Sequence, residues 1–112
     1  MRFYAVRPRP VNYKNKMIIH IALFKWKPEV APATIEKLIN DIRDLKKKIP
    51  QIVDIYAGEN FSKWAKEYTH AVVVTTRSRK DLDTYRAHSD HKPIADLCDS
   101  LETDSIGFDF ES

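Results

Sequence analysis

Three residues that can transfer protons, Tyr85, His88 and His91, are spaced three positions apart in the segment Tyr-Arg-Ala-His-Ser-Asp-His. On a continuous helix, residues at this spacing share one face. Imidazole, with an ordinary pKa of about 6.5, and phenol, with one of about 10, together form an acid–base pair. The same residues could instead supply half of a metal site, or be two partly exposed histidines at a helix junction. The spacing alone leaves all three interpretations open.

The metal interpretation requires further ligands. His88 and His91 could bind zinc together with His20 or Asp90, since imidazoles three residues apart on a helix can share a metal ion. The sequence contains no second pair of cysteines or glutamates at metal-binding spacing. Glycine-rich phosphate loops and the motifs of Ser-His-Asp catalysis are also absent from it. We therefore expect neither a metal ion nor an organic cofactor.

The composition of the chain is typical of one globular domain. Its 112 residues are 43% hydrophobic and 31% charged, and no apolar run approaches the roughly 18 residues that cross a bilayer. We therefore expect a cytoplasmic protein without a membrane partner. The single cysteine, Cys98, fits a reducing compartment. It shares helical spacing with Ile94 and Leu101, so we expect it to be a small buried hydrophobic residue.

The positive charge of the chain is concentrated at its beginning. Residues 1–16 contain five basic residues and no acid, so the net charge of +3 leaves −2 for the other 96 residues. A basic arm can contact nucleic acid or an anionic membrane surface. We instead expect a flexible N-terminal extension over 1–16 and a folded domain over 17–112. Because that domain is mildly acidic, we do not expect it to bind nucleic acid.

Apolar runs and turn residues predict four strands. Residues 17–26 and 68–76 have the length and composition of buried strands, and Ile106, Phe108 and Phe110 alternate within a strand over 104–110. A further strand is predicted over 51–56, ending at Gly58.

Helical periodicity predicts the segments between these strands. Pro32 suits the first position of a helix that ends before Pro50. This helix has an apolar stripe made of Ile35, Leu38, Ile39, Ile42, Leu45 and Ile49. Ser78 and Asp81 resemble the capping box of a second helix. Proline is tolerated only in the first turn of a helix, so Pro93 predicts that the second helix ends near His88 and that another follows it, to about residue 101.

The resulting order, β-α-β-β-α-β, is that of a ferredoxin-like α+β fold with a four-stranded antiparallel sheet. The first strand is apolar on both faces. One face carries His20, Ala22, Phe24 and Trp26, and the other carries Ile19, Ile21 and Leu23. In this fold the helices cover only one face of the sheet. The other face, which includes Val73, is apolar and predicts a homodimer that pairs sheet against sheet.

Several motifs together resemble one family. They are Ile-His-Ile-Ala-Leu-Phe-Lys-Trp at the start of the domain, Lys-Ile-Pro at the end of the first helix, Tyr-Ala-Gly-Glu-Asn-Phe-Ser, Tyr-Thr-His before an apolar strand, and the Tyr-His-His segment. In this order they resemble the stress-responsive dimeric α/β-barrel (Dabb) family over residues 17–112. The resemblance implies ferredoxin-like subunits that form a dimeric α/β barrel.

The resemblance also implies roles for individual residues. In the polyketide-cyclase-like members, a tyrosine and the last histidine of the motif act as an acid–base pair, and these match Tyr85 and His91. Asp109 matches the carboxylate that orients the catalytic imidazole. The implied substrate-binding residues are the histidines His20, His70 and His88, with Ala22, Phe24, Ile42 and Val72 as other pocket positions.

The chain departs from the cyclase-like pattern at several positions. Ser89 and Asp90 stand where a proline is usual. On the first helix, Ile42 replaces an aromatic residue, and Arg43 and Lys46 replace apolar ones. These departures predict a substrate that is smaller than an alkylresorcylic acid, or anionic.

Two classes of function follow from these residues. In the first, His91 held by Asp109 removes a proton next to a carbonyl group while Tyr85 polarises the carbonyl oxygen. This would be a cofactor-independent, cyclase- or lyase-like enzyme acting on a small carbonyl-containing metabolite. In the second, the same residues form a structural hydrogen-bond cluster in a non-catalytic stress-response or ligand-binding dimer. The monooxygenases that share this barrel are a third, less well supported possibility.

Overall fold

The computed structural model describes residues 16–112 as four antiparallel strands and three helices. The predicted extension over 1–16 lies outside the described residues except for Lys16. The elements are β1 (Ile18–Trp26), α1 (Pro32–Lys48), β2 (Asp54–Glu59), β3 (His70–Thr76), α2 (Arg79–Ala87), α3 (Lys92–Leu101) and β4 (Glu102–Glu111). Within the described residues, no helix is long and apolar enough to cross a membrane.

The strands form one sheet in the order β2-β3-β1-β4, which confirms the ferredoxin-like prediction. β1 is central and pairs antiparallel with both β3 and β4. Its register places His20 opposite Val74 on one side and opposite Asp109 on the other. Because alternate residues of a strand face opposite ways, this register fixes which side chains of the three strands lie together.

The core lies between the sheet and the helices. Pro32 begins α1, and the predicted apolar stripe is buried except for the half-buried Ile35, with Leu38 and Leu45 each 1% exposed. Facing them, Val72 and Val74 of β3 are also buried, whereas the alternate residue Val73 is only half-buried. Burial of aliphatic side chains on this one face of the sheet supplies the main driving force for folding.

The second strand lies about three residues later than predicted. The chain turns after α1, and the Ile52 N–H donates to the carbonyl of Ile49 at 3.2 Å. Pairing with β3 then runs from Asp54 to Glu59, with Gly58 opposite Ala71. The prediction that Gly58 ends the strand is therefore wrong. No described glycine has a positive φ, so Gly58 adopts ordinary strand geometry and not a turn.

The helix break predicted from Pro93 is confirmed. Ser78 caps α2, since its hydroxyl accepts from the Asp81 N–H at 3.0 Å. α2 ends at Ala87, and α3 begins at Lys92 with proline in its first turn. As a result, Tyr85 is helical, whereas His88 and His91 lie in the junction between α2 and α3. The three residues do not share a straight helix face.

The other face of the sheet is apolar, and no helix among residues 16–112 covers it. In the register of β1 and β4, Ile19, Ile21 and Leu23 lie opposite Phe110, Phe108 and Ile106. Tyr56 of β2 and Phe108 of β4 are 63% and 61% exposed. We call this surface, with Val73 at its centre, the open sheet face. An apolar surface of this kind usually marks an interface.

Candidate acid–base site

Seven of the ten predicted site residues line one cavity of about 180 Å³ between the sheet and the helices. These seven are His20, Ala22, Phe24, Ile42, Val72, Tyr85 and His91. The cavity is bounded by β1, β3 and β4 of the sheet, by α1, α2 and α3, and by the α2–α3 junction. The other three predicted residues, His70, His88 and Asp109, do not line it.

Tyr85 is the phenol of this cavity. It is only 3% exposed, and its ring centroid lies 4.4 Å from that of His91 and 6.3 Å from that of His20. Burial raises the pKa of Tyr85 to about 12. Its hydroxyl therefore stays protonated at neutral pH and can donate a hydrogen bond. No residue among 16–112 accepts a hydrogen bond from this hydroxyl, so it remains available to a ligand.

His91 is held in a defined tautomer by the backbone. Its Nδ1 lies 3.0 Å from the carbonyl oxygen of Arg86, which can only accept, so Nδ1 carries the proton. Burial lowers the pKa of His91, although the bond to the Arg86 carbonyl opposes this shift. The ring is therefore neutral at pH 7, and its Nε2 retains a lone pair. An imidazole in this state can act as a general base.

Asp109 orients a different histidine from the one expected. Its Oδ1 lies 2.5 Å from His20 Nδ1, and its Oδ2 accepts from Arg86 Nη2 at 2.6 Å. The prediction that Asp109 holds His91 is therefore wrong. The cause is the register of the sheet, which places Asp109 directly opposite His20. Burial alone would raise the pKa of Asp109, but the hydrogen bonds from Arg86 and His20 outweigh it and lower the pKa.

Arg86 is a functional candidate that the sequence does not reveal. Its guanidinium binds Asp109, which in turn holds His20, while its carbonyl holds His91. One residue thus positions both imidazoles of the cavity. In the sequence, a single arginine after Tyr85 resembles an ordinary solvated helix residue. Its role becomes apparent only in the folded chain, where α2 lies close enough to β4 for Arg86 to bind Asp109.

His88 and His70 lie outside the cavity. His88 Nδ1 accepts from the Asp90 N–H at 3.0 Å, which closes the junction between α2 and α3. His70 Nδ1 accepts from Trp26 Nε1–H at 2.9 Å, and its ring lines a separate cavity. The structure therefore places neither histidine in the cavity with Tyr85, contrary to the prediction.

The cationic residues of α1 also lie outside this cavity. Arg43 lines the separate cavity that contains His70, and Lys46 forms an ion pair with Asp54 at 3.3 Å. These two residues therefore give no reason to expect an anionic substrate at Tyr85. The small volume of the cavity agrees with the other expectation, a substrate of small size.

Cys98 lies in the wall of the cavity as a buried thiol, as predicted. Burial raises its pKa to about 12, so it is not a thiolate at neutral pH. Among residues 16–112, no three side chains of histidine, cysteine, aspartate or glutamate are placed to share a metal ion.

Comparisons with known proteins agree with this architecture. Residues 18–112 match the family described as Stress responsive A/B Barrel Domain. Olivetolic acid cyclase from Cannabis sativa is 30% identical over 93 residues, which are 81% of this chain and 92% of the cyclase.

A second relative and a solved structure extend the comparison. The stress-response A/B barrel domain-containing protein DABB1 from Arabidopsis thaliana is 26% identical over 100 residues. These are 86% of this chain but 47% of DABB1, so the chain spans about half the length of that protein. A dimeric ferredoxin-like protein of unknown function from Thermobifida fusca superposes with a TM-score of 0.79 at 24% identity, covering 95% of this chain and all of the other.

The pairing of Asp109 with His20 can be tested by substitution. Replacing Asp109→Ala removes the acceptor of the His20 Nδ1 proton, so the ring nitrogen signals of His20 should shift in long-range ¹H–¹⁵N correlation spectra. Those of His91 should keep the pattern of an Nδ1–H tautomer, because the Arg86 carbonyl remains. Asp90→Ala, beside His88, serves as the matched control. A change at His91 with no change at His20 would contradict the structure.

The pH behaviour of His91 follows from its burial. Its pKa in the folded chain lies below the ordinary 6.5, so the unfolded chain binds this proton more readily. His91 should therefore titrate below pH 6.5 in histidine NMR spectra. Its contribution to stability should be complete above that pH and should decline as the pH falls below it. His91→Asn should flatten the loss of unfolding free energy between pH 7.5 and 5, and titration at or above 6.5 would refute the assignment.

Proposed function

We propose that this chain, which belongs to the stress-responsive A/B barrel domain family, is an enzyme. Its proposed activity is cofactor-independent acid–base catalysis on a small carbonyl-containing metabolite. One observation carries this proposal. A phenol that remains protonated and an imidazole that remains neutral lie in contact in one cavity, with ring centroids 4.4 Å apart. They form a hydrogen-bond donor and a proton acceptor that are both active at neutral pH.

The proposed chemistry is proton transfer next to a carbonyl group. His91 Nε2 takes a proton from the carbon beside the carbonyl, and the electron pair of the broken C–H bond moves into an enolate. The Tyr85 hydroxyl donates to the enolate oxygen as its negative charge develops. The enolate carbon then forms a C–C bond to a second carbonyl carbon of the same molecule, as in a cyclase. The π electrons of that carbonyl move onto its oxygen, and His91 returns its proton to the resulting alkoxide. Groups positioned in this way typically contribute about 10²–10⁴-fold to a rate.

The lining of the cavity suits a small substrate. His20 Nδ1 is bonded to Asp109, which leaves Nε2 as the ring nitrogen that can contact a substrate. Ala22, Phe24 and Val72 provide an apolar wall. Sites for drug-sized ligands usually measure roughly 300–1,000 Å³. At about 180 Å³ this cavity is smaller, so we propose a compact substrate or a compact part of a larger one.

We propose further that the chain acts as a homodimer through its open sheet face. Ile21 lies at the centre of that face, between Val73 and Phe108. Covering these side chains would remove a large apolar surface from water. The dimeric description of the Thermobifida fusca structure supports this proposal.

A non-catalytic stress-response or ligand-binding dimer is the alternative function. The description of DABB1 as a stress-response protein favours it. In this case the bonds among Arg86, Asp109 and His20 would serve to hold α2 against β4. A cytoplasmic location remains a prediction under either function.

Deuterium exchange tests the acid–base proposal on simple carbonyl compounds, so the natural substrate need not be identified first. Small ketones, β-diketones and β-keto thioesters would be incubated in D₂O, and loss of the α-proton signal followed by NMR. Wild-type protein should accelerate exchange for at least one compound. His91→Ala should lower that rate by about 10²–10⁴-fold and Tyr85→Phe should also lower it, because each removes one member of the pair.

The control for this experiment is His88→Asn, which removes an imidazole outside the cavity, keeps a side-chain acceptor for the Asp90 N–H, and should retain the activity. Folding of each variant would be checked by circular dichroism. Equal exchange by wild type and His91→Ala would refute the proposed role of His91. Rates equal to buffer for every compound would favour the non-catalytic alternative.

The proposed dimer can be tested at Ile21. Ile21→Asp places a charge at the centre of the open sheet face, and burying an unpaired carboxylate is strongly unfavourable. The variant should sediment at half the mass of the wild type in analytical ultracentrifugation. Trp64→Asp, which changes an 82% exposed residue away from this face, should remain dimeric. A dimeric Ile21→Asp protein would place the interface elsewhere.

A further inference from the structure

A second and larger cavity lies on the same side of the sheet. It measures about 720 Å³, within the roughly 300–1,000 Å³ that is usual for small-molecule sites. It is formed by one side of α1 and by the sheet edge where β1 and β2 end and β3 begins. None of its lining residues lines the acid–base cavity, and the proposed reaction does not use it.

One wall of this cavity is apolar and held in place. It consists of Trp26 with Ile35 and Ile39 of α1. The Trp26 ring stacks on Phe24, with centroids 5.1 Å apart and planes within 5° of parallel. Its Nε1–H donates to His70 Nδ1 at 2.9 Å. An indole fixed at both its ring and its N–H is a rigid surface on which an apolar group can pack.

Arg43 supplies a fixed positive charge. Its Nε and Nη2 donate to the carbonyl of Ala57 at 3.1 and 2.6 Å, and its Nη1 donates to Asn40 Oδ1 at 2.9 Å. Three of its five N–H donors are thus used, and two remain. No carboxylate among residues 16–112 forms an ion pair with it. A guanidinium that is already oriented and lacks an anionic partner is suited to bind a carboxylate.

Two of the three acidic residues that line the cavity also have no ion-pair partner among residues 16–112. Glu36 and Glu59 line it, and neither forms an ion pair with any residue in the described part of the chain. A third acid, Glu67, is neutralised by Lys25 at 2.6 Å. Arg43 and these two glutamates therefore line one cavity without forming an ion pair with each other. Such an arrangement leaves a gap that a ligand with two opposite charges can bridge.

We propose that this cavity binds a small zwitterion with an apolar body, of the amino-acid type. Its carboxylate binds Arg43, its ammonium group lies between Glu36 and Glu59, and its apolar side chain packs on Trp26.

His70 adds a second donor for the carboxylate. Trp26 Nε1 can only donate, so His70 Nδ1 accepts this bond with its single lone pair. The proton of the neutral ring therefore sits on Nε2, and no residue among 16–112 accepts it. Burial lowers the pKa of His70, although the charge of Glu59 opposes this shift, so the ring keeps this tautomer at neutral pH.

Three related compounds separate the contributions of the two charges. L-phenylalanine carries both charges, 3-phenylpropionate lacks the ammonium group, and phenethylamine lacks the carboxylate. Binding would be measured by calorimetry, and by shifts of the Trp26 indole N–H and His70 ring signals. Phenylalanine should bind, and each analogue should bind about tenfold more weakly.

Two substitutions should separate the same contributions from the protein side. Arg43→Gln should weaken the binding of phenylalanine about tenfold and leave the binding of phenethylamine unchanged. Glu59→Gln should also weaken the binding of phenylalanine, but should leave the binding of 3-phenylpropionate unchanged. Arg43→Lys keeps the charge but loses the oriented fork, so it should retain the fold and bind phenylalanine at intermediate strength. Lys48→Gln, on the exposed side of α1, is the control.

The outcome is independent of the acid–base proposal. His91→Ala should bind phenylalanine as tightly as wild type, because the two cavities share no lining residue. Binding that leaves the Trp26 indole signal unmoved would overturn the proposal. So would equal binding of all three compounds, or no binding of any of them at about 10 mM.

Discussion

The antiparallel register of β1 between β3 and β4 is the constraint on which the site depends. It brings His20 opposite Asp109 and directs both toward the helices. A slip of one residue would exchange the two faces of the strand, moving His20 to the open sheet face and Ile21 into the core. Because both faces of β1 are apolar, the number of buried side chains would change little. The pairing of β1 with β3 and β4, and not the composition of β1, therefore decides which of its faces points toward the helices.

Burial acts on the two reactive groups of the small cavity in opposite directions. It raises the pKa of Tyr85 to about 12 and lowers that of His91, because in each case the uncharged form is favoured away from water. The same desolvation thus produces a protonated donor beside an unprotonated acceptor. Arg86 adds the orientation, since its carbonyl fixes one imidazole and its guanidinium fixes the partner of the other.

The sequence is sufficient for the element order and the helix break at Pro93, because these depend on local periodicity and on turn residues. The seven residues that line the acid–base cavity follow from the resemblance to the family and not from periodicity. The sequence is insufficient for contacts between distant elements. It assigns Asp109 to the wrong histidine, because that pairing depends on the register of β4 against β1. It does not reveal Arg86, because the contact of Arg86 with Asp109 depends on the distance from α2 to β4. His70 lies on the expected face of β3, but at the far end of the sheet from Tyr85. The face of a strand on which a side chain lies follows from the period of two in the sequence. The position of that residue along the sheet depends on the folded structure.

The stacked rings of Phe24 and Trp26 give the two cavities a common partition. Phe24 lines the smaller cavity and Trp26 the larger, and the rings are nearly parallel. A ligand that displaces either ring alters the shape available on the other side. Thermodynamic linkage requires any such influence to be mutual and equal in free energy. Through this stacked pair, occupancy of one cavity would change the affinity of the other cavity for its ligand.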